Sequence, residues 1–263
     1  MSKNKYKLTI GYDGAPYCGW QIQKSGLSIQ FLIEKALHTL LRSEVRCIGA
    51  SRTDAGVHAK GQVAHFRSEK ELSPYKARYS LNALLPPTIR IFDIEPVPPD
   101  FHACASAFSK IYYYHLHLDP ISNPLTRNYC YRPTGVLNLD QISKAIPHFL
   151  GTRDFFSFAN EGTKGSASRN AIRTLFRLEM KEQEEGVRLE FEGDGFLYKM
   201  VRNITGTLLE VGKGNLDPDK IPHLFAERNR KAVGMAASPQ GLCLMKVLYN
   251  LERIEAKPPL PTS

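Results

Sequence analysis

The residues best suited to chemistry crowd into one stretch, Ser51-Arg52-Thr53-Asp54-Ala55-Gly56-Val57-His58-Ala59. Arg52 and Asp54 lie two positions apart, so in extended backbone both project to the same side. An arginine beside a carboxylate keeps it ionised. An ionised aspartate serves as a nucleophile or as the counter-charge to a developing cation. Gly56 permits a tight turn or the close approach of a substrate. The same residues also fit a purely structural loop, in which Asp54 caps backbone N–H groups and Arg52 is its surface partner. A metal-hydrolase reading would join Asp54 to His58 and His65. Its spacing of four residues suits a helix, but Gly56 lies inside it and the segment reads as a loop. His115 and His117 share a strand face, yet no third ligand lies near them in sequence, which makes them surface or core histidines before a metal site.

The elements that must position this stretch follow from hydrophobic periodicity. Tyr6, Leu8, Ile10 and Tyr12 alternate as one face of a strand, and a Gly-rich loop from Asp13 to Gly26 follows. Ser28 is placed to cap a helix carrying Ile29, Leu32, Ile33, Ala36, Leu37, Leu40 and Leu41 at helical spacing. Short strands are expected at Val45–Ile48 and Gln62–Phe66, so the reactive stretch is a loop between two strands, where function commonly sits. A helix from Pro74 stops before Pro86-Pro87, and Ile89–Ile94 reads as a strand. Prolines 96, 98 and 99 mark a break near residue 100. Beyond it, strands are expected at Ile111–Leu118, Ile172–Lys181, Val187–Glu192 and Leu242–Tyr249. Helices are expected at Leu139–Leu150, weakened by Pro147, at Phe196–Leu209 and around Ile221–Ala226. In Tyr112-Tyr113-Tyr114 neighbours must point to opposite faces, so at least one tyrosine belongs to the core. Trp20, in the Gly-rich loop, is read as that loop's anchor. The pattern is an α+β fold on an antiparallel sheet. The expected organisation is an α+β half over residues 1–103 with the Asp54 loop, a second over 104–255, and a disordered tail over 256–263 rich in proline. No internal repeat is strong enough to show that the halves are duplicates.

Composition narrows the partners. Of 263 residues, 35 are Lys or Arg and 26 are Asp or Glu, a net charge of +9. That balance suits a polyanion such as nucleic acid or an anionic membrane surface. Arg127, Arg132, Lys164, Arg169 and Arg173 fall in or beside expected loops of the second half, either tracking RNA or as ordinary solvated charge. No apolar run reaches the length of a membrane span. The N-terminus leads into a strand pattern rather than a signal peptide. Five scattered cysteines with no C-x-x-C pair argue against a disulfide framework or a Cys-rich zinc site and suit a reducing cytoplasm.

Arg-Thr-Asp-Ala-Gly-Val-His at 52–58 resembles the signature of the tRNA pseudouridine synthase A family, and the likeness extends in order along the chain. Tyr12-Asp13-Gly14 with Tyr17 and Gly19-Trp20-Gln21 is similar to the family's opening segment. Ser28-Ile29-Gln30, Gly61-Gln62-Val63 and Asn82-Ala83-Leu84-Leu85-Pro86 follow, then Phe101-His102-Ala103 and Lys110-x-Tyr112-x-Tyr114. Asp154-Phe155 with Ser157-Phe158, Met200-Val201-Arg202-Asn203-Ile204 with Gly206, and Gly241-Leu242 complete a match over roughly residues 5 to 250. The resemblance implies two related α+β halves that share a continuous antiparallel sheet, with the active cleft between them. It implies isomerisation of uridine to pseudouridine on the 3′ side of the tRNA anticodon stem-loop by a cytoplasmic homodimer, with no cofactor and no metal. It assigns catalysis to Asp54, packing against the target base to Tyr112, retention of the flipped nucleotide to Arg52, and pairing with the catalytic carboxylate to Arg202. Two positions depart from the pattern. Ser51 stands where glycine is frequent, and Cys104 where arginine is common, which would remove one contact to RNA phosphate. A non-catalytic RNA-binding protein and the metal hydrolase remain as alternatives from the residues alone.

Overall fold

The structure, a computed structural model, describes residues 4–160 and 170–249. Lys164, Arg169 and the tail from Ala256 lie outside the described residues. One mixed sheet organises the rest. Its strands are β1 (Asn4–Tyr12), β2 (Ile48–Gly49), β3 (His58–Ser68), β4 (Ile89–Pro96), β5 (Ala107–His117), β6 (Gly151–Asp154), β7 (Ile172–Gln183), β8 (Gly186–Gly193) and β9 (Leu242–Tyr249). They lie in the order β4-β1-β3-β9-β5-β8-β7-β6, with β2 paired to β3. The helices are α1 (Ile29–Leu41), α2 (Pro74–Leu84), α3 (Leu139–Ala145), α4 (Met200–Gly212) and α5 (Ile221–Glu227).

The last strand joins the halves. β9 leaves the second half, pairs antiparallel with β5, and inserts beside β3 of the first half. That second pairing is parallel and short, His58 with Cys243 and Ala59 with Leu244. The expected sheet is therefore continuous but not wholly antiparallel. The strands that meet at the junction both run in one direction, and no local hairpin dictates their sense.

Alternation on β1 works as read, and Tyr6, Leu8, Ile10 and Tyr12 are all buried. Helix α1 packs Ile29, Ile33, Ala36, Leu37 and Leu41 inward, and the Ser28 hydroxyl accepts a hydrogen bond from the Phe31 amide at 3.3 Å. Tyr112 and Tyr114 are buried while Tyr113, between them, points to the other face. Pro147 ends α3 early, and the chain continues as a 3-10 turn over Ile146–Phe149.

Two expectations fail locally. Val45 and Cys47 are buried and Arg46 is exposed, but these residues are not a strand; of the expected Val45–Ile48 only Ile48 falls in one, β2. The Cys47 amide donates to Glu34 Oε1 at 2.8 Å and its carbonyl accepts from Gln30 Nε2 at 3.1 Å, so side chains of α1 satisfy the backbone that a neighbouring strand would have paired. Helix α4 starts at Met200, not Phe196. Lys199 enters it in the left-handed conformation, φ 60°. Phe196 extends the apolar periodicity because its ring packs on Tyr112, not because it is helical.

Candidate active site

Asp54 lies on the loop between β2 and β3, at the head of a turn in which the Val57 amide donates to the Asp54 carbonyl at 3.2 Å. Gly56 holds φ at +77°, a conformation that disfavours any side chain. Flanking contacts fix the loop. Tyr12 and Thr53 hydroxyls meet at 2.7 Å. The Trp20 amide donates to the Thr53 carbonyl at 3.0 Å, and the Trp20 indole is buried, so it anchors its loop against the reactive one. Gln62, wholly buried, accepts from the Ser51 amide at 3.2 Å and donates to the Ser51 carbonyl at 2.8 Å. Lys110 Nζ donates to the Ala50 carbonyl at 2.7 Å, and burial pulls its ammonium below the usual range.

The carboxylate's partner comes from the other half. Arg202, in the first turn of α4, places Nη1 2.7 Å from Asp54 Oδ2, with the two side chains 11% and 12% exposed. Its Nε donates to the Ala237 carbonyl at 2.7 Å, and the Ala237 amide donates to the Arg202 carbonyl at 2.9 Å. Ala237 thus holds both the guanidinium and the backbone of Arg202, which fixes the direction from which the side chain meets Asp54. Arg52 does not take this place. It is exposed and, among the described residues, forms no ion pair with Asp54. Spacing alone therefore does not make the pair: the Asp54 carboxylate is taken up by Arg202, although Arg52 and Asp54 line the same cleft.

Tyr112, on β5, forms the floor beside the pair. Its ring meets Phe196 edge-to-face at 5.1 Å. Burial pushes its phenol far up, and the Asp54 charge adds in the same direction, so the hydroxyl stays neutral. The cleft, about 1200 Å³, is walled by both halves: the 50–57 loop and Trp20 on one side, Phe196–Arg202 on the other. That volume exceeds the range of about 300–1,000 Å³ common for small-ligand pockets and suits a nucleotide with its neighbours. Cys104 and Arg173 also line it, and Arg173 binds the Asn170 carbonyl at 3.1 Å. Arg132 instead binds the Asp119 carbonyl at 3.1 Å.

The histidines go elsewhere. His65 accepts from the Ala103 amide at 3.1 Å, and burial, with His102 adding, pushes its imidazole down to about 4. His58 packs against Tyr129 at 5.0 Å and contacts Asp13, so the three residues of the metal-hydrolase reading do not converge. His115 Nδ1 lies 2.8 Å from Gln183 Oε1, and His117 Nε2 donates to the Ile121 carbonyl at 2.7 Å. Among the described residues no group of three His, Cys, Asp or Glu side chains is arranged to hold a metal ion, and no helix is long and apolar enough to cross a membrane. Gln62 and Lys110 support the site without a chemical signal of their own in the sequence. Their only signal was membership of the Gly61-Gln62-Val63 and Lys110-x-Tyr112 motifs.

A model of the tRNA pseudouridine synthase family matches residues 9–104 and 145–250. The tRNA pseudouridine synthase A 1 of Protochlamydia amoebophila is 50% identical over 248 residues, 94% of this chain and 97% of that protein. The tRNA pseudouridine synthase A of Geotalea daltonii is 43% identical over 243 residues, covering 92% and 98% of the two chains. The tRNA pseudouridine synthase A 1 of Bacillus cereus strain ATCC 14579 is 42% identical over 248 residues, covering 94% and 99%. With its ordered motifs, its mixed sheet and its cleft between two halves, the chain belongs to the tRNA pseudouridine synthase A family of isomerases.

Proposed function

We propose that this tRNA pseudouridine synthase uses Asp54 as its reacting group on uridines of the 3′ side of the anticodon stem-loop. The observation that carries the proposal is the Asp54–Arg202 pair, formed across the cleft at 2.7 Å beside the Tyr112 ring. In the reaction the bond from C1′ to N1 breaks, the base turns, and C5 bonds to C1′. The C5 proton leaves and N1 takes one up, so the base never departs and no water is split. That differs from glycoside hydrolysis, which needs a second carboxyl group to activate water. One carboxylate either attacks C1′ or removes a sugar proton; both routes use the same residue. Arg202, fixed by Ala237, holds Oδ2 and leaves the other oxygen for the substrate.

The target base must first leave its stack, at a cost of roughly a few kcal/mol. Tyr112 offers the base a ring to pack on, and Arg52, on the exposed rim, occupies the space it vacates. The net charge of +9 draws the RNA, and binding weakens as salt rises. The enzyme is further proposed to be a cytoplasmic homodimer without cofactor or metal, built of halves meeting near residue 103. The family resemblance supports the dimer, and five free cysteines suit a reducing compartment.

The test is tritium release from tRNA labelled at C5 of uridine, with and without EDTA, for the wild type and Asp54→Ala. Release that survives EDTA and disappears in the variant supports the reading. Release that persists in Asp54→Ala removes Asp54 from the chemistry, and release abolished by EDTA restores a metal-dependent alternative.

A further inference from the structure

Behind the reactive loop, on the side away from the cleft, three side chains meet that the reaction does not touch. Asp13, His58 and Tyr129 are absent from the cleft wall. His58 follows Asp54 by one turn of chain, and its ring is buried. Its Nδ1 lies 3.1 Å from both the Gly14 amide and Asp13 Oδ1. The neutral ring accepts from the amide, and the protonated ring would donate to the carboxylate, so the same atom holds this turn in either state. Burial favours the neutral form. The Asp13–Gly14 turn presses on the reactive loop: a Cβ on Gly14 would fall 2.0 Å from the Val57 carbonyl oxygen. Asp13 Oδ1 also accepts from the Ala15 amide at 3.0 Å, which fixes the carboxylate's direction.

The third member comes from the second half. The Tyr129 hydroxyl donates to Asp13 Oδ2 at 3.2 Å, and its ring lies 5.0 Å from that of His58. The segment carrying Tyr129 also reaches the other end of the ion pair. Gln240 Nε2 donates to the Cys130 carbonyl at 2.9 Å, three residues beyond Ala237, whose carbonyl fixes Arg202. The Tyr114 hydroxyl donates to the Ser238 carbonyl at 2.7 Å and pins the same strand of chain to β5. One short segment, residues 127–131, therefore touches the back of the Asp54 loop on one side and the support of Arg202 on the other. Among the described residues, the sheet itself joins the halves here through two residue pairs, His58 with Cys243 and Ala59 with Leu244.

We infer that Asp13, His58 and Tyr129 form a positioning bracket that sets the separation and angle of Asp54 and Arg202 across the two halves. The inference rests on the reading of Asp54 as the reacting group. None of the three is a catalytic residue; they act through the loop, and a small misplacement of a reacting group is costly in rate.

Tyr129→Phe removes the bridging bond while keeping the ring, and Asp13→Ala removes the carboxylate that receives it. Each is compared with the wild type and Asp54→Asn in tritium release from labelled tRNA, with kcat, KM and thermal midpoint measured on each. The expected result is a loss in kcat of about tenfold in either single variant, with KM changed by less than about twofold. The double variant should be no slower than the worse single, because both changes break one bond. Thermal midpoints should stay within about 2 °C of the wild type. Unchanged kcat in both singles overturns the bracket, as does a loss confined to KM, or losses that multiply in the double. If Asp54→Asn is inactive while the bracket variants are unaffected, the bracket alone fails. If Asp54→Asn remains active, the reading of the site fails and takes the bracket with it.

Discussion

The floor and the rim of the cleft are built on opposite plans. On the floor, Asp54, Arg202 and Tyr112 are buried or nearly so, and each is held by fixed neighbours: Arg202 by Ala237, the Asp54 loop by Tyr12, Trp20 and Gln62, Tyr112 by Phe196. On the rim, Arg52, Ile22 and Tyr198 stand exposed to solvent. Arg52 is two residues from Asp54, so the change from held to exposed occurs within a tripeptide. The backbone makes this possible by burying Thr53 between them, its hydroxyl on Tyr12 and its carbonyl on Trp20. Under the proposed function, a preorganised carboxylate would react without reorganising, whereas an exposed guanidinium would be able to follow the RNA as the target base leaves its stack.

The contrast is open to direct attack, starting where the effect is largest. Asp54→Asn should reduce kcat by about three orders of magnitude or more while tRNA affinity changes little, because the substitution removes charge but not shape. Arg202→Met should follow, with a loss of about a hundredfold in kcat, since breaking a largely buried pair leaves the remaining charge uncompensated. Competition binding checks that its tRNA affinity survives. Tyr112→Phe should slow turnover by about tenfold and keep tRNA binding, the hydroxyl being lost and the ring retained. A variant that loses binding altogether would make Tyr112 a structural element of the floor. Arg52→Ala should show the opposite pattern from the floor variants. Its loss, about tenfold in kcat/KM, should shrink on a stem-loop whose target uridine is already unpaired, because the unstacking cost has been removed from the substrate. Equal losses on both substrates would place Arg52 with the floor.

Much of the floor was legible in the sequence, but unevenly. Ser28 and the spacing of Ile29, Ile33 and Leu37 announced α1 because local capping and periodicity are enough to define a helix. The loop around Asp54 was legible for its residue types. Its charge partner was not: proximity in sequence favoured Arg52, and the true contact spans 148 residues. Only the resemblance of Met200-Val201-Arg202-Asn203 to a family motif indicated it. Long-range pairing leaves no periodic trace, and the parallel insertion of β9 beside β3 is invisible to local patterning for the same reason. Val45–Cys47 misled in a different way, since buried Val45 and Cys47 alternate with exposed Arg46 as a strand would even though side chains from α1 satisfy the Cys47 backbone. Phe196 misled because a residue packed on Tyr112 mimics one on a helix face.

The account stands on the separation of chemistry from binding at Asp54. The most direct measurement is single-turnover tritium release by Asp54→Asn at saturating enzyme, with tRNA affinity determined on the same preparation. The account requires tRNA bound about as tightly as by the wild type and no release above background. Release within about tenfold of the wild-type rate, a range too small for loss of a reacting group, would contradict it.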